Sequence, residues 1–179
     1  MEASFALSTR HDIHEVSPEY LAGIIRKIIE IEGPIHHDEI VIRVRMLWGQ
    51  KRAGQRIQSA VDRGLAVASQ EKAISFDGSF YLIVGAPIKV RDRSQASPSL
   101  RKPEMLPPIE LRVAVMAVVE QNLGADREEA IILTSRAVGF RATSTQLREM
   151  IEQQIDFLIS LDVLTEVDGR LTRSVHRSD

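Results

Sequence analysis

The chain contains no cysteine. Disulfides, thiol nucleophiles and zinc–thiolate sites are therefore excluded together. Aromatic residues make up only 4% of the sequence, too few for a platform that stacks successive bases of a single strand. No apolar run approaches the roughly 18 residues that a membrane-spanning helix needs. The first 16 residues mix apolar, acidic and histidine side chains and do not read as a signal peptide. Neither sign of charge dominates: the net charge is −2. Any affinity for nucleic acid must then rest on a local patch.

Catalytic signatures are missing as well. There is no GxxxxGK loop, no GxGxxG, no HExxH and no GxSxG. Carboxylates such as Glu128 and Glu129 sit where a helix starts and suit its dipole. Glu71-Lys72 lacks the preceding strand-borne aspartate that a nuclease centre requires. The expectation is a non-enzymatic protein with no cofactor and no metal. His36-His37-Asp38-Glu39 resembles a metal cluster in print, but adjacent helical residues diverge by about 100° and do not converge on one ion. His11 and His14 show no partner cluster, and His176 falls in the tail.

What is present is one unit written twice. The copies are offset by 90 positions, with Pro18 matching Pro108, Leu21 Leu111, Glu30 Glu120, Glu39 Glu129, Ile42 Ile132 and Gly49 Gly139. A period of that length fits two small domains rather than a solenoid. Ser17-Pro18 reads as a helix cap and first turn. Leu21, Ile24, Ile25, Ile28 and Ile29 follow at helical spacing, and Gly33-Pro34 ends that helix. A second helix starts near His36, with Glu39 completing a capping box. Asp126 and Glu129 form the better box in the second copy. Ile40, Val44 and Leu47 face inward, and Gly49 breaks the helix. The third helix follows the basic turn Gln50–Gly54 and points Ile57, Ala60, Val61 and Gly64 inward, with its end undecided around Gly64. Asp77-Gly78 and Asp168-Gly169 then sit between short alternating runs and predict hairpins.

Three helices and a hairpin, twice, predict a mainly α, α+β chain of two tandem winged helices. The expected organisation is an N-terminal arm over 1–16, winged helix 1 over 17–84, a linker over 85–107, winged helix 2 over 108–174 and a tail over 175–179. The linker is rich in proline and serine and carries five basic residues against two acidic ones. It reads as a solvated tether, with a supplementary DNA-backbone contact as the alternative.

The two third helices differ most. In copy one, Arg52, Arg56, Ser59 and Arg63 fall within a stripe about 60° wide, with Gln55 beside it. Arg43, Arg45 and Lys51 add to the sign bias over residues 41–64, where Asp62 is the single acidic residue. Such an inventory suits phosphate clamping and base-edge contact. The competing reading is an ordinary solvated face. The acidic hairpin tip at Asp77 argues against a phosphate there. Copy two has Ala142, Gln146, Glu149 and Gln153 instead. Its longer, more apolar helix suggests packing or association through Met150, Ile155 and Leu158. Trp48 reads as core or domain-contact packing.

Residues Leu21 to Val61 resemble an uncharacterised bacterial domain found at the C-terminus of large superfamily-one helicase-related proteins. The resemblance is carried by Glu32-Gly33-Pro34-Ile35-His36, by Glu39-Ile40 and by the run Gly49 to Ile57. It implies a helicase or restriction-endonuclease-like partner, in the same chain or another, and supplies no catalytic residue. Function is therefore expected to be a DNA-binding accessory role, duplex favoured, through Lys51, Arg52, Gln55, Arg56, Ser59 and Arg63, in the cytoplasm. The alternative is a protein-interaction or homodimerisation scaffold; a free-standing transcription regulator ranks last.

Overall fold

The computed structural model describes residues 2–8 and 11–174. The tail expected at 175–179, with His176, lies outside them. The chain is α+β and divides into two compact units, Met1–Pro87 and Ile88–Asp179. Among the described residues there are six α-helices and two small antiparallel sheets of three strands each. No helix of the described residues is long and apolar enough to cross a membrane.

In the first unit, α1 spans Pro18–Glu32. The Ser17 hydroxyl accepts the Tyr20 N–H at 3.2 Å, and Pro18 has no N–H to leave unpaired. Gly33 closes the helix through its N–H to the Ile29 carbonyl. A two-residue strand β1, Ile35–His36, leads into α2, His37–Leu47. His36 is its cap, its Nδ1 accepting the Asp38 N–H at 3.2 Å. The capping box expected of Glu39 does not form: that carboxylate is buried 3.1 Å from the Arg43 guanidinium. Gly49, at φ +64°, turns the chain toward α3, Gln55–Gln70.

The open question of where α3 ends is resolved by Gly64, which lies inside the helix. A Cβ there would meet Ile25 Cδ1 at 2.8 Å and Leu21 Cγ at 3.1 Å, so the glycine permits the close crossing of α3 over α1. Strands β2, Ile74–Asp77, and β3, Phe80–Ile83, form the hairpin, with Phe76 opposite Tyr81. β1 joins the other edge of β3, so the order is β1-β3-β2. The sequence reading missed β1, because two residues carry no alternation. Leu21, Ile25, Ile28, Ile29, Ile40 and Val61 form the core.

The N-terminal arm, which without a clear period would read as a loose arm or a tie to a neighbour, packs on this unit. Ala3 and Ile13 are buried in this core and Phe5 packs against it. The Ala3 N–H donates to Glu32, Trp48 Nε1 donates to the His11 carbonyl at 3.1 Å, and Lys27 Nζ sits 4.3 Å above the Phe5 ring. The arm's apolar residues are irregularly spaced, so periodicity could not reveal that they pack.

The second unit repeats the plan. It comprises α4, Pro108–Gln121; β4, Ala125–Asp126; α5, Arg127–Ala137; α6, Thr145–Ser160; β5, Leu164–Val167; and β6, Arg170–Arg173. The sheet order is β4-β6-β5. Asp126 caps α5 by accepting the Glu129 N–H at 2.7 Å, and Ser144 caps α6 through Leu147 N–H. Its core gathers Leu106, Leu111, Val115, Ile131, Leu147 and Ile151.

The segment expected as a solvated tether is folded onto this unit from residue 88 onward. Glu110 is fully buried, and both oxygens bond guanidiniums: Arg93 at 2.8 Å twice, and Arg91 at 2.8 Å. Two of the five cations counted in the linker are thereby consumed by a buried carboxylate, a pairing that composition cannot reveal. Burial by itself pushes the Glu110 carboxyl up, but its hydrogen bonds and charge contacts with Arg93 and Arg91 outweigh that and hold it below the ordinary range. A carboxyl depressed in the folded state contributes stability above its unfolded pKa of about 4.3, and that contribution is lost as pH falls through the lower folded value. Urea midpoints followed by circular dichroism from pH 6 to 3 should show this acid loss, and Glu110→Gln should flatten it while lowering stability at pH 6.

Candidate nucleic-acid interface

The α2–α3 turn positions the basic residues. Arg45 donates to the Lys51 carbonyl at 2.8 Å, pinning the turn. Gly54 caps α3 without a side-chain bond. Ile57, Ala60, Val61 and Gly64 face the core as expected. That leaves Gln55, Arg56, Ser59 and Arg63 on the outer face, all exposed. Together with His14 these four line an open groove of about 430 Å³. Lys51 and Arg52 are also exposed but lie in the turn and do not line the groove. The helical spacing assigned to Arg52 therefore does not apply, because α3 begins only at Gln55.

Among the described residues, no carboxylate pairs with Arg52, Arg56 or Arg63. The nearest acidic neighbour in sequence, Asp62, instead accepts from His37 Nε2 at 2.8 Å. Arg43 contributes nothing to the patch. It is 2% exposed and held by Glu32 at 2.7 Å, by Glu39 and by Glu2 at 3.5 Å. Burial alone would lower its pKa, yet the hydrogen bond and charge of Glu32 and the charges of Glu39 and Glu2 raise it. Among the described residues of 41–64, the cations left without a carboxylate are therefore Arg45, which is part-buried, and the exposed Lys51, Arg52, Arg56 and Arg63.

Two features went unseen in the sequence. His14 reaches the groove because the arm is packed, which no local pattern encodes. Phe76 is exposed on the hairpin with its ring 6.3 Å from Tyr81, and Tyr81 in turn is 6.3 Å from His37. Burial and the charge of Asp62 raise the Tyr81 pKa. An aromatic step thus continues from the Asp62 side of α3. Asp12, His14 and Glu15 bring ligand-type atoms within 4.8 Å of one another, contrary to the expectation of no cluster. All three are exposed, and Glu15 accepts the Asp12 N–H at 3.1 Å as a turn would require.

The second unit presents a different outer face. Ala142, Gln146, Glu149 and Gln153 are exposed. Arg148 is bonded to Glu128, whose carboxyl is lowered chiefly by that hydrogen bond. The association residues proposed from sequence are not a surface. Ile155 is 0% and Leu158 5% exposed, and Met150 is half-buried against the same core. They continue the inward stripe of Leu147 and Ile151 at intervals of four and three. The exposed apolar residues at this end of the unit are Phe157 and Leu161. Ile155→Glu should therefore unfold the second unit rather than disperse an oligomer. The expected cost is about 4 kcal/mol or more, read as a lost urea transition with no change in the sedimentation of folded protein.

A family model matches residues 11–59. Its description is Protein of unknown function (DUF3320). The match takes in the packed part of the arm from His11, α1, α2 and the first turns of α3, just over a quarter of the chain. It includes His14, Lys51, Arg52, Gln55, Arg56 and Ser59, and stops short of Arg63 and the hairpin. No curated protein and no solved structure matches the chain.

Proposed function

We propose that the chain is a non-catalytic DNA-binding module built from two winged helices, with α3 of the first unit as the element that enters the groove of duplex DNA. The order helix, strand, helix, helix and hairpin in each unit, with the short strand paired to the hairpin, supports the winged-helix reading. The carrying observation is the set of exposed guanidiniums of Arg52, Arg56 and Arg63, which no carboxylate among the described residues neutralises. Unneutralised arginines cost repulsion in the unbound protein and suit a polyanionic partner. Gln55 and Ser59, between them, carry the amide and hydroxyl groups that read base edges. The resemblance of the first unit to a helicase-associated domain suggests that ATP hydrolysis or cleavage would reside in a partner or a larger assembly in the cytoplasm.

Anisotropy titrations with a labelled 20-base-pair duplex and its single strand, at 50 and 200 mM salt, test the reading. Four phosphate contacts correspond to a slope of about −3.6 in log K against log salt for duplex. The duplex should bind more tightly than the strand. Absence of binding at 50 mM salt, or binding indifferent to salt, would refute it.

A further inference from the structure

The second unit lacks the α3-type stripe but carries three unneutralised arginines elsewhere. Arg136 comes from the last turn of α5, Arg141 from the α5–α6 turn and Arg101 from the segment preceding α4. All three are exposed, and among the described residues none pairs with a carboxylate. They border two adjoining grooves of about 310 and 370 Å³, which share Ser94, Gly139, Phe140 and Arg141 as walls. We infer that this double groove binds the sugar–phosphate backbone of nucleic acid. The choice of nucleic acid as the polyanion rests on the DNA-binding reading above; the groove itself does not.

The groove is built in advance by folding. Its outer wall, residues 92–101, is anchored at one end by the buried Arg93–Glu110 bonds and by the Arg93 N–H donated to the Val138 carbonyl at 3.2 Å. Leu106, fully buried, holds the other end. Gly139, at φ +93°, makes the seat: a Cβ there would overlap the Arg93 nitrogen and the Asp92 carboxylate. A wall already ordered loses little entropy when a ligand arrives.

The chemistry of the groove favours phosphate. Its one carboxylate, Asp92, accepts the Ser94 N–H at 2.8 Å and stays anionic, so three guanidiniums stand against one negative charge. The main-chain N–H groups of Ala96, Leu100 and Arg101 close turns onto Arg93, Ser97 and Pro98 carbonyls. They are not available to pair with a peptide backbone, as an extended acidic peptide would require. The guanidinium forks remain as donors, with Phe140 and Pro98 as apolar walls against which sugars can lie.

The test uses the full chain carrying R52E/R56E/R63E, so that the first unit's surface is silenced. A labelled 20-base-pair duplex is titrated at 20 and 100 mM salt, before and after adding R101Q/R136Q/R141Q. Residual binding with a slope of about −2 to −3 is expected, weakened at least about tenfold by the glutamine changes. Amide shifts at Ser94, Gly139 and Phe140 on adding duplex should report the same contact in the chain whose second unit carries no substitution. No residual binding and no shifts, or binding indifferent to the glutamine changes, would overturn the inference. Shifts produced equally well by polyglutamate would overturn it in favour of an acidic protein. If the unaltered chain binds duplex but the silenced one does not, the groove alone is refuted; if the unaltered chain binds none, the DNA-binding reading falls too.

Discussion

Replacing Arg52, Arg56 and Arg63 together by glutamate is expected to lower duplex affinity at least about a hundredfold at 50 mM salt and to take the first unit's share out of the salt dependence proposed above. On the proposed reading, three cations facing phosphate become three anions, so counterion release would be lost and repulsion would replace it. The fold should be unaffected, because all three side chains are exposed and none is paired with a carboxylate among the described residues. The thermal midpoint is expected to stay within about 2 °C, as for other surface changes of under about 0.5 kcal/mol. Anisotropy and circular dichroism on the same samples separate the two effects. Affinity within twofold of the unaltered chain would remove α3 from the interface. Arg43→Gln is the informative contrast: it removes a charge from the same stretch of sequence, but one that faces inward.

That inward charge underlies the second large effect. Arg43→Ala should destabilise the first unit by about 3–5 kcal/mol, because Glu32 and Glu39 would remain buried without their counter-ion. Glu39 is the more exposed to this loss in energetic terms: neither of its oxygens has a well-aligned hydrogen bond. Glu32 also holds the Ala3 N–H, so the packed arm should loosen together with the core when that carboxylate loses its counter-ion. The single tryptophan, Trp48, packs on this core and reports its unfolding by fluorescence in urea. Combining Arg43→Met with Glu32→Gln and Glu39→Leu should recover at least half of the loss, since an apolar replacement of a whole buried cluster is tolerated better than an orphaned charge. Loss under about 1 kcal/mol for Arg43→Ala would mean that water reaches the cluster.

The three arginine classes in this chain show where sequence reading works and where it stops. Arg56 and Arg63 were legible because they lie on a regular helix whose inward residues are spaced at three and four; the helical period alone puts them outside. Arg43 sits on a helix too, and its exposure was expected by the same habit of placing charge outside. Its burial depends on Glu32 and Glu2, which reach it only through tertiary folding. Arg91 and Arg93 looked like tether charges because prolines and serines surround them, yet their partner Glu110 lies on a helix that begins well beyond them in sequence. Ile155 and Leu158 failed in the opposite sense. An apolar stripe looks the same in sequence whether it meets its own core or a partner, and here α4 and the preceding segment cover it.

Local physics written into the sequence by itself determined the duplication, the helix starts at Ser17, His36 and Asp126, the inward faces and the two hairpins. Each of these depends on groups within a few residues of one another. Only the tertiary structure decided which cations remain available to solvent, that the arm brings His14 beside α3, and that residues 92–101 wall a groove over Gly139. Those outcomes depend on distances between segments far apart in the chain, and no period or cap carries that information.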